Sequence, residues 1–159
     1  MKSIVLILAG CLFLFACDSQ RVFEENQSII DEVWSINDSK SFEFNSLDTN
    51  PLMNVIINVR HTSSYSFSNL WLFINTTGPD GFIQSDTLEC ILSEPDGKWL
   101  GNGGITDVWS FNTLLKTQRF HKKGAYIFEI EQAMRYGDKA KLLNLDGISD
   151  IGLRIEIAN

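Results

Sequence analysis

The sequence is poor in the residues that carry chemistry. Among its 159 residues are two histidines, His61 and His121, and neither has a cysteine nearby, so no zinc-ligand spacing exists. There is no Gly-x-Ser-x-Gly nucleophile elbow. The glycine-rich stretch Gly101–Gly104 leads into the extended-looking Ile105–Trp109, with no Gly-Lys-Ser or Gly-Lys-Thr after it, which excludes a phosphate-cradling loop and leaves a bend. Helical periodicity is almost missing, and only Asp138 to Leu145 has room for a short helical turn. Cations are scarce as well: 13 Lys and Arg face 20 Asp and Glu, a formal net charge of −7. An acidic surface repels phosphate backbones, which excludes nucleic acid as a partner.

What is present begins at the N-terminus. Lys2 supplies one positive charge, and Ile4 to Ala16 forms an apolar run broken only by Gly10. A bilayer-spanning helix needs roughly 20 residues, so this run is too short. It fits the core of a signal peptide that is later removed. The run ends Leu14-Phe15-Ala16-Cys17, a small residue before a cysteine, as lipoprotein processing requires. Residues 1–16 therefore read as a lipoprotein signal peptide, and Cys17 as the lipidated residue. Each buried CH₂ of an acyl chain contributes about 0.8 kcal/mol, so several chains anchor stably where one would not. Processing leaves 143 residues carrying −8, enough for one domain with one core. This charge makes anionic headgroups poor partners beyond the anchor itself. Of the other cysteines, Cys11 departs with the signal peptide. Cys90 stands alone inside Leu88-Glu89-Cys90-Ile91-Leu92 as a small buried hydrophobe.

Residues 17–33 are polar and mixed, and read as the lipidated N-terminus and tether, with a short strand possible at Arg21-Val22-Phe23. Residues 34–159 read as the domain. Phe42 and Phe44 alternate with Ser41, Glu43 and Asn45, and Val55, Ile57 and Val59 alternate with Asn54, Asn58 and Arg60. Leu70-Trp71-Leu72-Phe73-Ile74 is apolar on both faces, which predicts a central strand with Trp71 in the core. Gly78-Pro79-Asp80-Gly81 and Glu94-Pro95-Asp96-Gly97 carry turn chemistry: proline presets φ, aspartate bonds the local backbone, glycine accepts positive φ. They bracket a strand at 82–92 and suggest an antiparallel meander. Tyr126, Phe128, Ile130 and Met134 line one side of the next segment with Gln132 as its polar interruption, and Ile151 to Ile157 alternate again. Many short strands and turns predict an all-β fold: a single antiparallel β-sandwich, jelly-roll or immunoglobulin-like, after the signal peptide and tether.

No catalytic constellation emerges, so the chain reads as non-enzymatic, without cofactor or metal. Both histidines read as surface residues. Glu129 and Glu131 share a strand face and suit solvent, or an ion pair with Arg154, better than a glycosidase cleft. Asp146-Gly147-Ile148-Ser149-Asp150 lacks the acidic positions of an EF-hand loop. Turn chemistry accounts for Asp80, Asp96, Asp146 and Asp150 more simply than calcium does.

The tryptophans remain. Exposed tryptophans bind sugars or anchor protein interfaces. Trp99 and Trp109 flank the glycine-rich bend, so Trp99, Gly101, Gly103 and Trp109 form the candidate partner-docking site. The alternative is a glycan-binding β-sandwich lipoprotein that uses the same two tryptophans.

A series of blocks in fixed order carries a resemblance. It opens with Cys17-Asp18-Ser19 and Arg21-Val22-Phe23, then Tyr65, Phe67, Asn69 and Leu70, then Asp86-Thr87-Leu88-Glu89. The most specific block is Pro95-Asp96-Gly97-Lys98-Trp99-Leu100-Gly101-Asn102-Gly103. Glu129-Ile130-Glu131-Gln132-Ala133-Met134-Arg135 and Arg154-Ile155-Glu156 follow. In these the mature chain resembles the GldH family, the gliding-motility lipoproteins of the Bacteroidetes. The resemblance implies a non-catalytic envelope lipoprotein that serves gliding and the associated type IX secretion machinery. Its partners would be other gliding or secretion envelope proteins and, through acylated Cys17, the lipid bilayer. The expected location is the outer membrane, facing the periplasm.

Overall fold

The computed structural model describes residues 20–103 and 106–158, and they form an antiparallel β-sandwich. The strands in chain order are β1 (Arg21–Ser28), β2 (Val33–Ser35), β3 (Lys40–Ser46), β4 (Met53–Thr62), β5 (Asn69–Thr77), β6 (Ile83–Ile91), β7 (Asn102–Gly103), β8 (Val108–Gln118), β9 (Gly124–Gln132), β10 (Asn144–Asp146) and β11 (Ile148–Ile157). One sheet runs β1-β11-β4-β8-β7, the other β3-β9-β5-β6, and β10-β2 closes one end. No α-helix occurs among the described residues; the stretch 138–145 is turn and strand, and the only helical turn is a short 3-10 at Ile30–Glu32.

Period-two alternation decides which side chains meet between the sheets. β4 sends in Val55, Ile57 and Val59, β11 sends in Ile151, Leu153 and Ile155, and Phe42, Phe128, Ile130, Leu72 and Ile74 answer from the facing sheet; all are buried. Gln132, the polar interruption in β9, is buried too. It is satisfied locally: its amide donates to Leu142 O at 2.7 Å, and its carbonyl accepts from Met134 N at 3.0 Å. A buried amide with both ends bonded avoids the desolvation cost of an orphan. Trp34 fills the end closed by β2 and β10, its indole donating to Asp38 O at 2.7 Å.

Several expectations change. Residues 21–28, placed in a tether ending at residue 33, form edge strand β1, paired with β11 from Arg21↔Glu156 to Ser28↔Asp150. The polar composition that suggested a tether is that of an edge strand with charged outward residues. At Gly152 a Cβ would lie 2.0 Å from Asn26 Oδ1, so the glycine allows β1 to close on β11. β5 is central in pairing, flanked by β9 and β6, but only one face is covered: Trp71 and Phe73 are each 37% exposed. The Gly78–Gly81 turn does join sheet neighbours β5 and β6. The Glu94–Gly97 turn does not continue the meander, because the chain then crosses to β7 and β8 in the other sheet. Arg154 pairs with Glu156 at 2.8 Å and Glu24 at 3.5 Å, in the sheet opposite Glu129 and Glu131.

All strand directions share one frame. β1, β4, β6 and β9 start, and β3, β5, β8 and β11 finish, at the same end of the sandwich. Phe23, Phe44 and Phe120 join the two sheets there, with ring centroids 5.9 and 5.0 Å apart in succession. β2, β7 and β10 lie at the opposite end.

Candidate functional site: the tryptophan corner

The structure brings Trp99, Gly101, Gly103 and Trp109 together at the β7–β8 margin, at the end far from the start of β1. Ser93 bridges to Trp99, and Leu100 N donates to Leu92 O at 2.8 Å, so the Glu94–Gly97 turn is a tight local hairpin. Asp96 Oδ1 accepts from Lys98 N at 3.0 Å, the turn chemistry its sequence predicts. Beyond it, Asn102 and Gly103 pair with Ser110 and Trp109.

Both glycines are needed by the chain's own backbone. Gly101 has φ +88°, and a Cβ there would sit 2.2 Å from Ser110 O. At Gly103 a Cβ would sit 2.5 Å from Val108 O and 2.9 Å from the Trp109 indole. The close approach they permit is that of β7 to β8.

Trp99 and Trp109 are both half-buried. Trp99 packs against the core and meets the ring of His61 edge-on, centroids 4.5 Å apart. His61 is a correction: it is fully buried, not a surface residue. It lies on β4 directly opposite Trp109 in register, and touches Tyr65 as well as Trp99. A carbonyl can only accept, so Nδ1 carries the proton it donates to Thr62 O at 3.1 Å, and the lone pair of Nε2 faces no partner among the described residues. Burial lowers the imidazole pKa below its usual value, partly offset by the bond to Thr62. The ring is therefore neutral at neutral pH. His121 is exposed, as its neighbours Lys122 and Lys123 suggest.

Nearby groups are equally inert. Burial pushes the Cys90 thiol up to about 11, and the Tyr65 phenol, which donates to Asn69 O at 2.8 Å, well above its ordinary value. A thiol held protonated is a poor nucleophile. Among the described residues no group of three His, Cys, Asp or Glu side chains is placed to hold a metal ion. Asp80 and Asp96 lie at opposite ends of the sandwich, and Asp150 accepts from Ser28 Oγ at 2.9 Å.

A second surface feature escaped the sequence reading. On the outer face of the β3-β9-β5-β6 sheet, Trp71, Phe73, Thr87, Ala133 and Arg135 line a shallow hollow of about 320 Å³. The run Leu70–Ile74 concealed it, because an unbroken apolar run does not tell which alternate residues face out.

These features define a β-sandwich protein whose candidate site is an aromatic surface corner rather than an assembled set of reactive groups. The chain belongs to the GldH lipoprotein family, whose model matches residues 21–155. It is 35% identical over 157 residues to the gliding motility lipoprotein GldH of Flavobacterium johnsoniae, covering 98% of this chain and 97% of that protein. It is also 35% identical to a GldH homolog from Christiangramia forsetii, covering 97% and 94%. Solved structures share only a loose outline. One is a β-fructofuranosidase of Schwanniomyces occidentalis, with TM-score 0.38, 12% identity, and 89% of this chain and 35% of that one covered; nothing about function follows from it. Membership in a lipoprotein family places the protein in the membrane-anchored envelope class. The signal peptide and Cys17 lie outside the described residues, and among those described no helix is long and apolar enough to cross a membrane.

Proposed function

We propose that the protein is a non-catalytic accessory component of gliding motility and of the associated type IX secretion machinery. Cys17 anchors it to the outer membrane on the periplasmic side, and the Trp99–Trp109 corner docks onto other envelope proteins of that machinery. The observation that carries this reading is near-complete coverage, at 35% identity, of a relative named for gliding motility. The corner supports the docking role through two half-exposed indoles beside the close β7–β8 pairing that Gly101 and Gly103 permit. Aromatic anchors of this kind dominate interface energetics. Crosslinking in intact envelopes, followed by pull-down, tests the reading. Wild type should recover motility or secretion envelope proteins, and Trp109→Ala should not. Recovery of none by the wild type would overturn it.

The glycan reading keeps one observation in its favour, at a different place: Trp71 and Phe73 expose two rings on one sheet face beside Arg135. A glycan screen showing tight binding that Trp71→Ala abolishes would favour that reading over docking.

A further inference from the structure

Exposed large apolar side chains gather at both ends of the sandwich, with Ile30, Val33, Ile91, Tyr136 and Leu143 at one and a further group at the other, where β1 starts. Six large apolar side chains stand exposed there: Val22 (46%), Leu47 (77%), Leu52 (38%), Phe82 (69%), Ile83 (59%) and Ile157 (43%). They come from four separate segments that strand direction brings to one end. Val22, Leu47 and Ile157, with Phe23, Phe44 and Met53, line an apolar hollow of about 490 Å³. Leu52 is tied to the C-terminal strand end through Ala158 N donating to its carbonyl at 2.9 Å. Exposed apolar groups that share one hollow mark a candidate interaction surface.

Charge at this end runs against the whole molecule. The chain is acidic overall. Yet Arg21, Arg119, Lys122 and Lys123 are exposed here, against Glu43 and Asp48 at the hollow and Asp80, with Arg21 paired to Glu24 at 3.0 Å. Arg119 bonds the Asn50 carbonyl at 3.1 Å and Lys122 pairs with Asp80 at 2.5 Å, which holds both cations on the rim of the apolar group. At the opposite end the exposed acids Asp31, Glu32, Glu94, Asp96, Asp107, Asp138 and Asp146 outnumber the exposed cations Lys98, Arg135, Lys139 and Lys141.

Covalent geometry links this end to the anchor. Gln20 is fixed to the sheet by Ile157 N donating to its carbonyl at 2.9 Å. Cys17 precedes it by three residues, and an extended chain spans at most about 3.3–3.6 Å per residue, so the lipidated residue lies within roughly 11 Å of Gln20. The opposite end, a long strand away at about 3.3 Å per residue, is out of that reach.

We propose that this end is a membrane-seating surface. The apolar group enters the headgroup–acyl boundary of the bilayer that holds Cys17, the four cations meet anionic lipid phosphates, and the tryptophan corner points away from the membrane. Basic residues within a Debye length of an anionic bilayer are attracted to it, and apolar side chains at the boundary add to that attraction. The proposal rests on lipidation at Cys17 and adds an orientation to it. It also reverses the expectation that anionic headgroups contribute nothing beyond the anchor, because local rather than net charge faces the lipid.

The test uses the full acylated chain in phosphatidylethanolamine–phosphatidylglycerol vesicles with and without brominated acyl chains. A thiol-reactive fluorophore is placed at Leu47→Cys or at Ile30→Cys, both highly exposed and at opposite ends; the native Cys90 is buried. The Leu47 label should shift to the blue and lose most of its emission to bromine, while the Ile30 label should do neither. Val22→Cys gives a second proximal position should Leu47→Cys fold poorly. Vesicle flotation of the same samples separates the two claims. Flotation without quenching at Leu47 or Val22 overturns the seating surface alone, whereas failure to float overturns the anchor and the orientation together.

Discussion

The indole of Trp99 meets the buried imidazole of His61 edge-on, with ring centroids 4.5 Å apart at 60°. This contact makes a half-exposed tryptophan the cover of a neutral, underbonded histidine, and ties stability to pH. Folding lowers the His61 pKa, so between the folded value and the ordinary 6.5 the unfolded chain binds more protons. The stabilising contribution is full above about pH 6.5 and is lost as pH falls through the folded value. Chemical denaturation at about pH 7.5 and about pH 5.5 should show a loss of stability on acidification that His61→Phe reduces. An undiminished loss in His61→Phe would assign the effect elsewhere, and His121→Phe should lose as much stability as wild type.

The two corner tryptophans should separate. Trp99 packs on the core, so Trp99→Ala should lower stability by about 2 kcal/mol, short of the roughly 3–5 kcal/mol of a fully buried tryptophan such as Trp34. Trp109→Ala should stay within about 1 kcal/mol of wild type, yet weaken envelope crosslinks by about thirtyfold, the equivalent of about 2 kcal/mol. Melting curves set beside quantitative crosslinking check both. Unfolding of the Trp109 variant would make that residue a core member.

Gly101→Ala should destabilise by more than about 1 kcal/mol, because it adds a side chain at positive φ and a Cβ 2.2 Å from Ser110 O. Gly97→Ala shares the positive φ but has open space around it, and should cost less. Thermal unfolding of the two variants measures the share due to the clash.

Cys90 should resist modification in the native state. Its thiol is buried and its pKa is raised to about 11, so alkylation by iodoacetamide at pH 8 should proceed only through unfolding. Mass spectrometry should find Cys90 unmodified in native protein and fully labelled in denaturant. Rapid native labelling would contradict the burial.

Deleting residues 21–28 should fail to give a soluble domain. That segment pairs with β11 through its whole length, and its loss uncovers the β11 edge. Aggregation of the truncated chain on expression is the expected outcome. A well-folded monomer beginning at residue 34 would restore the tether reading.

Period-two alternation with turn chemistry was enough to specify an antiparallel β-sandwich. Val55, Ile57 and Val59, like Ile151, Leu153 and Ile155, could be assigned to the core because a half-buried strand writes its two faces into alternate positions. The Pro-Asp-Gly turns were legible because their mechanism is local, and so was the family, through blocks in a fixed order. Tertiary structure decided what depends on pairing between distant segments. Arg21–Ser28 is an edge strand because β11 lies beside it, and nothing within those eight residues says so. Trp71 is exposed and His61 buried because only one face of β5 is covered, while Trp99 arrives from another loop to cover β4. The gathering of Val22, Leu47, Phe82 and Ile157 at one end follows from strand direction, which a one-dimensional pattern of side chains does not record.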